Sequence, residues 1–291
     1  MPTADESATL TCRWAGPSDP ATATIVLLHG LGDSGASWPD AVRRWSPAHR
    51  VVGLDLLGHG RSPRFTAAQL TSADPMEQMY AAAEATVARI VAERGGPVAV
   101  VGHSMGGGVA TALAARRPDL VAAAVLEDPA WRDPALRVQE PAVIRDRLAD
   151  VQAWHDDPEG QLADGRCDNP TWPEPEFGPW AESKSQVDTD FLALGVASLA
   201  APWDELLATI RVPTLALLAE RGGPVTSDVR ERAGRIGNFC LEIRVVPGSG
   251  HCIRRDVPDA YHALVDPFLA TTLASADLPT SGANSQTSRA T

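Results

Sequence analysis

Six short apolar runs punctuate the chain: Thr24 to Leu28, Val51 to Leu54, Val98 to Val101, Val121 to Leu126, Thr214 to Leu218 and Ile243 to Val246. Most are unbroken by polar residues and too short for a helix, which is how strands read when a parallel sheet is covered on both faces. Helix-like stretches separate them, at Met76 to Arg94, Val109 to Arg116, Ser227 to Ile236 and Asp259 to Leu273. Alternating strand and helix predict the α/β class, with a mostly parallel central sheet flanked by helices. The alternation stops between Trp131 and about Leu206, where proline, tryptophan and charged residues dominate and no buried-strand pattern occurs. Residues 132–205 are therefore expected to form a helical cap, inserted into a core built from 1–131 and 206–275. Beyond about Ala274 the chain turns to Ser, Thr, Ala and Gly, which bury too little to offset ordering, so 276–291 are expected to be a disordered tail.

Composition narrows the partners. With 37 acidic against 25 basic side chains and a net charge of −12, nucleic acid and anionic membrane surfaces are disfavoured. A small molecule is the expected partner. Cys12, Cys167, Cys240 and Cys252 show neither Cys-x-x-Cys spacing nor pairing with histidines, so no metal site is predicted and the thiols are expected to stay reduced. Met1 to Thr9 lack an apolar signal region, and no run of about eighteen apolar residues could span a bilayer. A cytoplasmic location is the expectation.

The chemistry begins at Gly102-His103-Ser104-Met105-Gly106, set directly after one apolar run and before the Ala-rich stretch. A strand turning sharply into a helix leaves the turn residue strained and exposed, and small residues two positions either side let the backbones pass. Ser104 occupies that turn. Amides at the start of the following helix would face any negative charge that develops beside it. A serine hydroxyl is a poor nucleophile at neutral pH and needs an imidazole to take its proton. His251, in Gly248-Ser249-Gly250-His251 after the last strand, is the candidate base.

Four ordered motifs together resemble the α/β-hydrolase superfamily: His29-Gly30 with Trp38 downstream, Asp55 to Ser62, the Ser104 pentapeptide and Gly248 to His251. The resemblance covers nearly the whole chain and implies a serine hydrolase without metal or organic cofactor. It also implies an oxyanion hole made by the backbone N–H groups of Leu31 and Met105. His29, His59 and His103 fall in motif loops, where the family uses such residues for backbone and packing contacts. Asp55 and the glycines after it are assigned to shaping a loop.

The acid that orients the imidazole departs from the common family pattern, because Gly222 stands where most members carry an aspartate after a later strand. Some relatives place the acid after the sixth strand, about two dozen residues beyond the nucleophile. Asp128 matches that alternative. Glu220 and Glu127 remain open as alternatives, since carboxylates at neighbouring strand ends could reach the same imidazole. The cap concentrates Trp131, Trp154, Trp172, Phe177 and Trp180, of which Trp131, Trp172 and Trp180 are the candidate substrate contacts. Arg254 and Arg255, next to the candidate base, are expected to be solvated surface residues, with contact to an acidic substrate as the alternative. The expected activity is cleavage of a carboxylic ester or lactone with an apolar or aromatic group through an acyl-enzyme. Carbon–carbon bond hydrolysis or perhydrolysis on the same residues, or a low-turnover binding protein, are the alternatives. An aspartate nucleophile, as in dehalogenases and epoxide hydrolases of this fold, is excluded by Ser104.

Overall fold

A computed structural model describes residues 9–19 and 21–276; the expected tail, like most of the N-terminal segment, lies outside the described residues. Seven strands form one sheet in the order β1-β3-β2-β4-β5-β6-β7. They are β1 (Cys12–Ala15), β2 (Thr24–Leu28), β3 (Arg50–Leu54), β4 (Val98–His103), β5 (Val121–Glu127), β6 (Thr214–Ala219) and β7 (Leu241–Val246). Only β1 runs antiparallel, paired with β3 from Cys12 opposite Leu54 to Ala15 opposite Val51. The other pairs are parallel. The helical insertion follows β5, the fifth of the described strands.

Side chains alternate between two cores because successive residues of a strand point to opposite faces. Val26, Leu28, Val98 and Val100 pack into one, and Ile25, Leu27, Ala99 and Val101 into the other. Burying a valine fully on either face contributes at least about 1.5 kcal/mol, so the uninterrupted apolar runs of the sequence are what two covered faces require.

Helices α1 (Pro39–Trp45), α2 (Ala67–Leu70) and α3 (Pro75–Arg94) precede β4, and α4 (Ser104–Arg116) follows it directly. The start and stop of α3 are encoded locally. Asp74 accepts from the Met76 amide, Pro75 opens the first turn, and Gly95 closes the helix at φ +82. Between β5 and β6 lie α5 (Pro141–Asp156), α6 (Pro158–Asp168), α7 (Glu174–Lys184), α8 (Thr189–Leu192) and α9 (Trp203–Thr209). Asp74 also ties this insertion down, accepting from Arg137 at 2.7 Å and from the Ala200 amide at 2.8 Å. Helix α10 (Ser227–Gly234) joins β6 to β7, and α11 (Ile253–Asp256) and α12 (Pro258–Ala276) complete the described chain. Among the described residues no helix is long and apolar enough to cross a membrane.

Candidate active site

The junction of β4 and α4 holds Ser104 at φ +52, a left-handed conformation that costs a non-glycine residue about 1–2 kcal/mol. Close packing beneath it enforces the bend: a Cβ on Gly106 would lie 2.2 Å from the Leu28 carbonyl oxygen. The bend turns the hydroxyl toward the loop after β7, where Ser104 Oγ lies 2.9 Å from His251 Nε2. That loop is fixed from two sides. Gly250 N–H donates to Asp256 Oδ2 at 2.8 Å, and His103 Nε2 donates to the His251 carbonyl at 3.0 Å. Burial, and then the neighbouring His251, hold the His103 imidazole well below its usual range, so it stays neutral behind the site.

On the other side of the imidazole, His251 Nδ1 lies 2.6 Å from Asp128 Oδ2. Asp128 directly follows β5 at φ +36, its side chain fully buried. Its second oxygen accepts from the Ala219 amide at 3.1 Å, and its own amide donates to the Leu217 carbonyl at 2.8 Å. A carboxylate held on both oxygens keeps the Nδ1 proton of the imidazole, leaving the Nε2 lone pair to face the hydroxyl. The space for this carboxylate comes from the loop after β6. A Cβ on Gly223 would lie 2.0 Å from Asp128 Oδ2 and 3.1 Å from His251 Nδ1.

The two other candidate carboxylates are engaged elsewhere. Glu127 accepts from the Arg254 amide at 2.8 Å and its guanidinium at 3.1 Å. Glu220 accepts from the Gly248 amide at 3.0 Å and makes no hydrogen bond with His251.

Two main-chain amides next to the serine are free. Among the described residues, the N–H groups of Leu31 and Met105 donate to no protein acceptor. The loop carrying Leu31 is pressed close, since a Cβ on Gly30 would stand 3.3 Å from the Ser104 Cβ. His29 braces that loop, donating from Nδ1 to the Gly30 carbonyl at 2.8 Å and accepting at Nε2 from the Leu56 amide at 3.0 Å.

Ser104 and His251 open into a cavity of about 490 Å³ between the sheet and the insertion. Leu31, Val151, Trp154, Trp180, Val187 and Leu192 supply its apolar wall. Of the three tryptophans expected there, only Trp180 lines it. Trp131 stacks on Trp203 with ring centroids 5.6 Å apart and donates to Thr111 Oγ1, beside a separate small cavity. Trp172 donates to Asp256 Oδ1 at 2.8 Å and lies under the Arg255 guanidinium. Both clamp the insertion to the sheet domain. Trp154, edge-on to Trp180 at 5.2 Å, takes the place in the wall. The signal for it was the spacing of Arg147, Asp150, Val151 and Trp154, which share one face of α5 and all line the cavity.

The sequence model of the alpha/beta hydrolase family matches residues 25–264, most of the chain. The chain belongs to this family. Lipase LipV of Mycobacterium tuberculosis is 43% identical to this chain over 125 residues, 43% of either chain. The chain spans less than half the length of the curated relatives it matches. Among solved structures, the enol-lactonase from Burkholderia xenovorans LB400 superposes with a TM-score of 0.68 at 21% identity, covering 92% of this chain and 99% of that one. E-2-(acetamidomethylene)succinate hydrolase gives the same score at 20% identity, covering 91% and 96%. These two likenesses establish the fold.

In this alpha/beta hydrolase the expected surface arginines are instead buried. Arg254 and Arg255 are 4% and 1% exposed, which forces each to find carboxylate partners. Arg254 pairs with Glu127, while Arg255 pairs with Glu176 of α7 at 3.0 Å and with Asp33 at 3.1 Å. Lys184 of α7 reaches Asp33 as well, at 3.0 Å. Burial pushes the Asp33 carboxyl up, yet Arg255, Lys184 and Arg254 outweigh it and hold the group below the carboxylate range. Sequence reading missed this because the charge partners lie far apart along the chain. Burial also raises the Cys252 thiol, at the cavity edge, to about 11, which leaves it unreactive. Among the described residues no His, Cys, Asp and Glu cluster could hold a metal ion.

Proposed function

We propose that this hydrolase cleaves a carboxylic ester or lactone bearing an apolar or aromatic group through an acyl-enzyme on Ser104. The observation that carries the reading is the unbroken chain from Ser104 Oγ through His251 to Asp128, at 2.9 and 2.6 Å, facing the cavity beneath the insertion. Ser104 Oγ attacks the substrate carbonyl carbon as its proton passes to His251 Nε2. Asp128 keeps the ring in the productive tautomer and stabilises the imidazolium that forms. The carbonyl oxygen becomes an oxyanion that accepts from the Leu31 and Met105 amides, and each such donor is worth about 10²–10³ in turnover. Collapse of the tetrahedral adduct breaks the bond to the leaving oxygen, which takes the proton from His251. Water then attacks the acyl-enzyme carbonyl, giving its proton to the same nitrogen, and Ser104 is released with the acid product.

Trp154 and Trp180 favour apolar or aromatic groups and exclude water while the acyl-enzyme forms. The likeness to a lipase and to an enol-lactonase fits ester and lactone chemistry alike. Labelling with a fluorophosphonate tests the reading. The wild-type protein should be labelled once, and Ser104→Ala not at all; a folded wild-type protein that stays unlabelled and inert to p-nitrophenyl esters contradicts it.

A further inference from the structure

Three cationic side chains line the cavity that holds Ser104: Arg147, Lys184 and Arg255. Two are already neutralised, Lys184 by Asp33 and Arg255 by Asp33 and Glu176. Arg147 differs. Among the described residues it makes no hydrogen bond and no ion pair, although it is only partly exposed. Burial, followed by the nearby Arg132, pulls its guanidinium below the ordinary arginine value, and Asp150 opposes them. An arginine does not escape this cost by losing its proton, so it remains a charge partly stripped of water and held in no ion pair, with Asp150 offsetting it only through space. Its own helix explains the placement: α5 turns Arg147, Val151 and Trp154 toward the cavity, one helical turn apart.

We propose that Arg147 binds a carboxylate carried by the substrate, so that the preferred ester or lactone is a monoanion whose charge lies away from the scissile bond. This deepens the hydrolase reading and rests on it. The planar guanidinium offers two parallel N–H donors to a carboxylate, a match that fixes orientation as well as charge. Asp150, Asp164 and Asp168 also line the cavity, but all three are exposed, where water and salt screen them. Because Lys184 and Arg255 are already paired, the cationic side chains lining the cavity leave one charge to be met, which favours one carboxylate and not two.

The test compares p-nitrophenyl hemiglutarate, a monoanion, with p-nitrophenyl valerate, its neutral counterpart of equal chain length. The ratio of their kcat/KM values should fall at least tenfold in Arg147→Gln and recover in part in Arg147→Lys, which keeps the charge without the fork. A purely structural role would lower both rates together and leave the ratio unchanged, and that result overturns the assignment. A second arm is independent of turnover. In Ser104→Ala, tryptophan fluorescence should report tighter binding of monomethyl glutarate than of dimethyl glutarate, and Arg147→Gln in that background should abolish the difference. Equal affinities, or no binding of the monoanion at millimolar concentration, overturn the carboxylate site. If both esters are cleaved with an unchanged ratio, the hydrolase reading stands without it. If neither is cleaved and Ser104 is not labelled, the hydrolase reading fails and the titration alone decides on Arg147.

Discussion

Replacing Gly223 by alanine should disable turnover through contact with the acid, and its neighbour supplies the control. Both Gly222 and Gly223 have left-handed backbones, at φ +69 and +74, so either alanine carries about 1–2 kcal/mol of backbone strain. They differ in what a side chain would meet. A Cβ on Gly222 has no heavy atom within 4 Å, whereas one on Gly223 would lie 2.0 Å from Asp128 Oδ2. That carboxylate has little room to retreat, because its other oxygen is bound to the Ala219 amide and its side chain is fully buried. Displacing it breaks the 2.6 Å contact with His251. Losing the orienting acid costs serine proteases about 10⁴ in kcat, or roughly 5.5 kcal/mol of barrier. Gly223→Ala should therefore lose about 10²–10⁴ in kcat on a p-nitrophenyl ester, with Gly222→Ala within about tenfold of wild type. Gly223→Ala should also melt below Gly222→Ala, because it disturbs buried hydrogen bonds in addition to the shared strain, so kcat is compared at a temperature where both variants are folded. Equal kcat values for the two alanines would refute the reasoning, because the Gly223 loop would then not confine the acid.

Asp128→Asn should lower kcat by about 10⁴, while Glu220→Gln stays within a few-fold on the same ester; the reverse order transfers the acid's role to Glu220. Glu127→Gln should act on stability, costing about 3 kcal/mol in urea melts, because it leaves the Arg254 guanidinium buried with its pair broken. Trp154→Ala and Trp180→Ala should each reduce kcat/KM on a bulky aryl ester at least tenfold more than on an acetyl ester. Trp131→Ala should leave that preference unchanged and lower the melting temperature, as its ring packs against Trp203 away from the cavity. Burial lowers the folded-state values of His29, His59 and His103, that of His59 to about 3, while unfolded imidazoles titrate near 6.5. The unfolded chain then binds more protons below about pH 6.5, so stability should fall as pH drops from there toward 3, by up to about 1.4 kcal/mol per unit for each histidine. Urea midpoints at pH 7 and pH 5 check this, and no loss at pH 5 would contradict it.

Much of the fold was legible because the strands buried on two faces leave uninterrupted apolar runs. The edge strand β1 was not: Cys12, Arg13, Trp14 and Ala15 mix polar and apolar residues, and among the described residues no strand lies beyond them. Asp128, the proposed acid, could be singled out because Gly222 stands at the usual acid position, and the absence of a side chain on Gly223 leaves room for its carboxylate. The wall of the cavity could not be read in the same way. Which tryptophan faces the serine depends on how the insertion packs on the sheet domain, where α7 is tied down by Glu176 to Arg255 and by Lys184 to Asp33, residues distant in sequence. Composition marked a tryptophan-rich insertion, and packing decided which rings clamp and which line. Arg254 and Arg255 were misread for a related reason, since two adjacent arginines look solvated in a sequence, while the carboxylates that pair with them come from distant parts of the chain.

The central claim, an acyl group carried by Ser104 between two half-reactions, is tested most directly by intact-protein mass spectrometry of acid-quenched turnover, followed by peptide mapping. With a slowly deacylating p-nitrophenyl ester, the protein should gain one acyl mass on the peptide containing Ser104, at a rate matching the burst of p-nitrophenol. A burst-free reaction with no adduct, or an adduct on any other residue, would contradict the account.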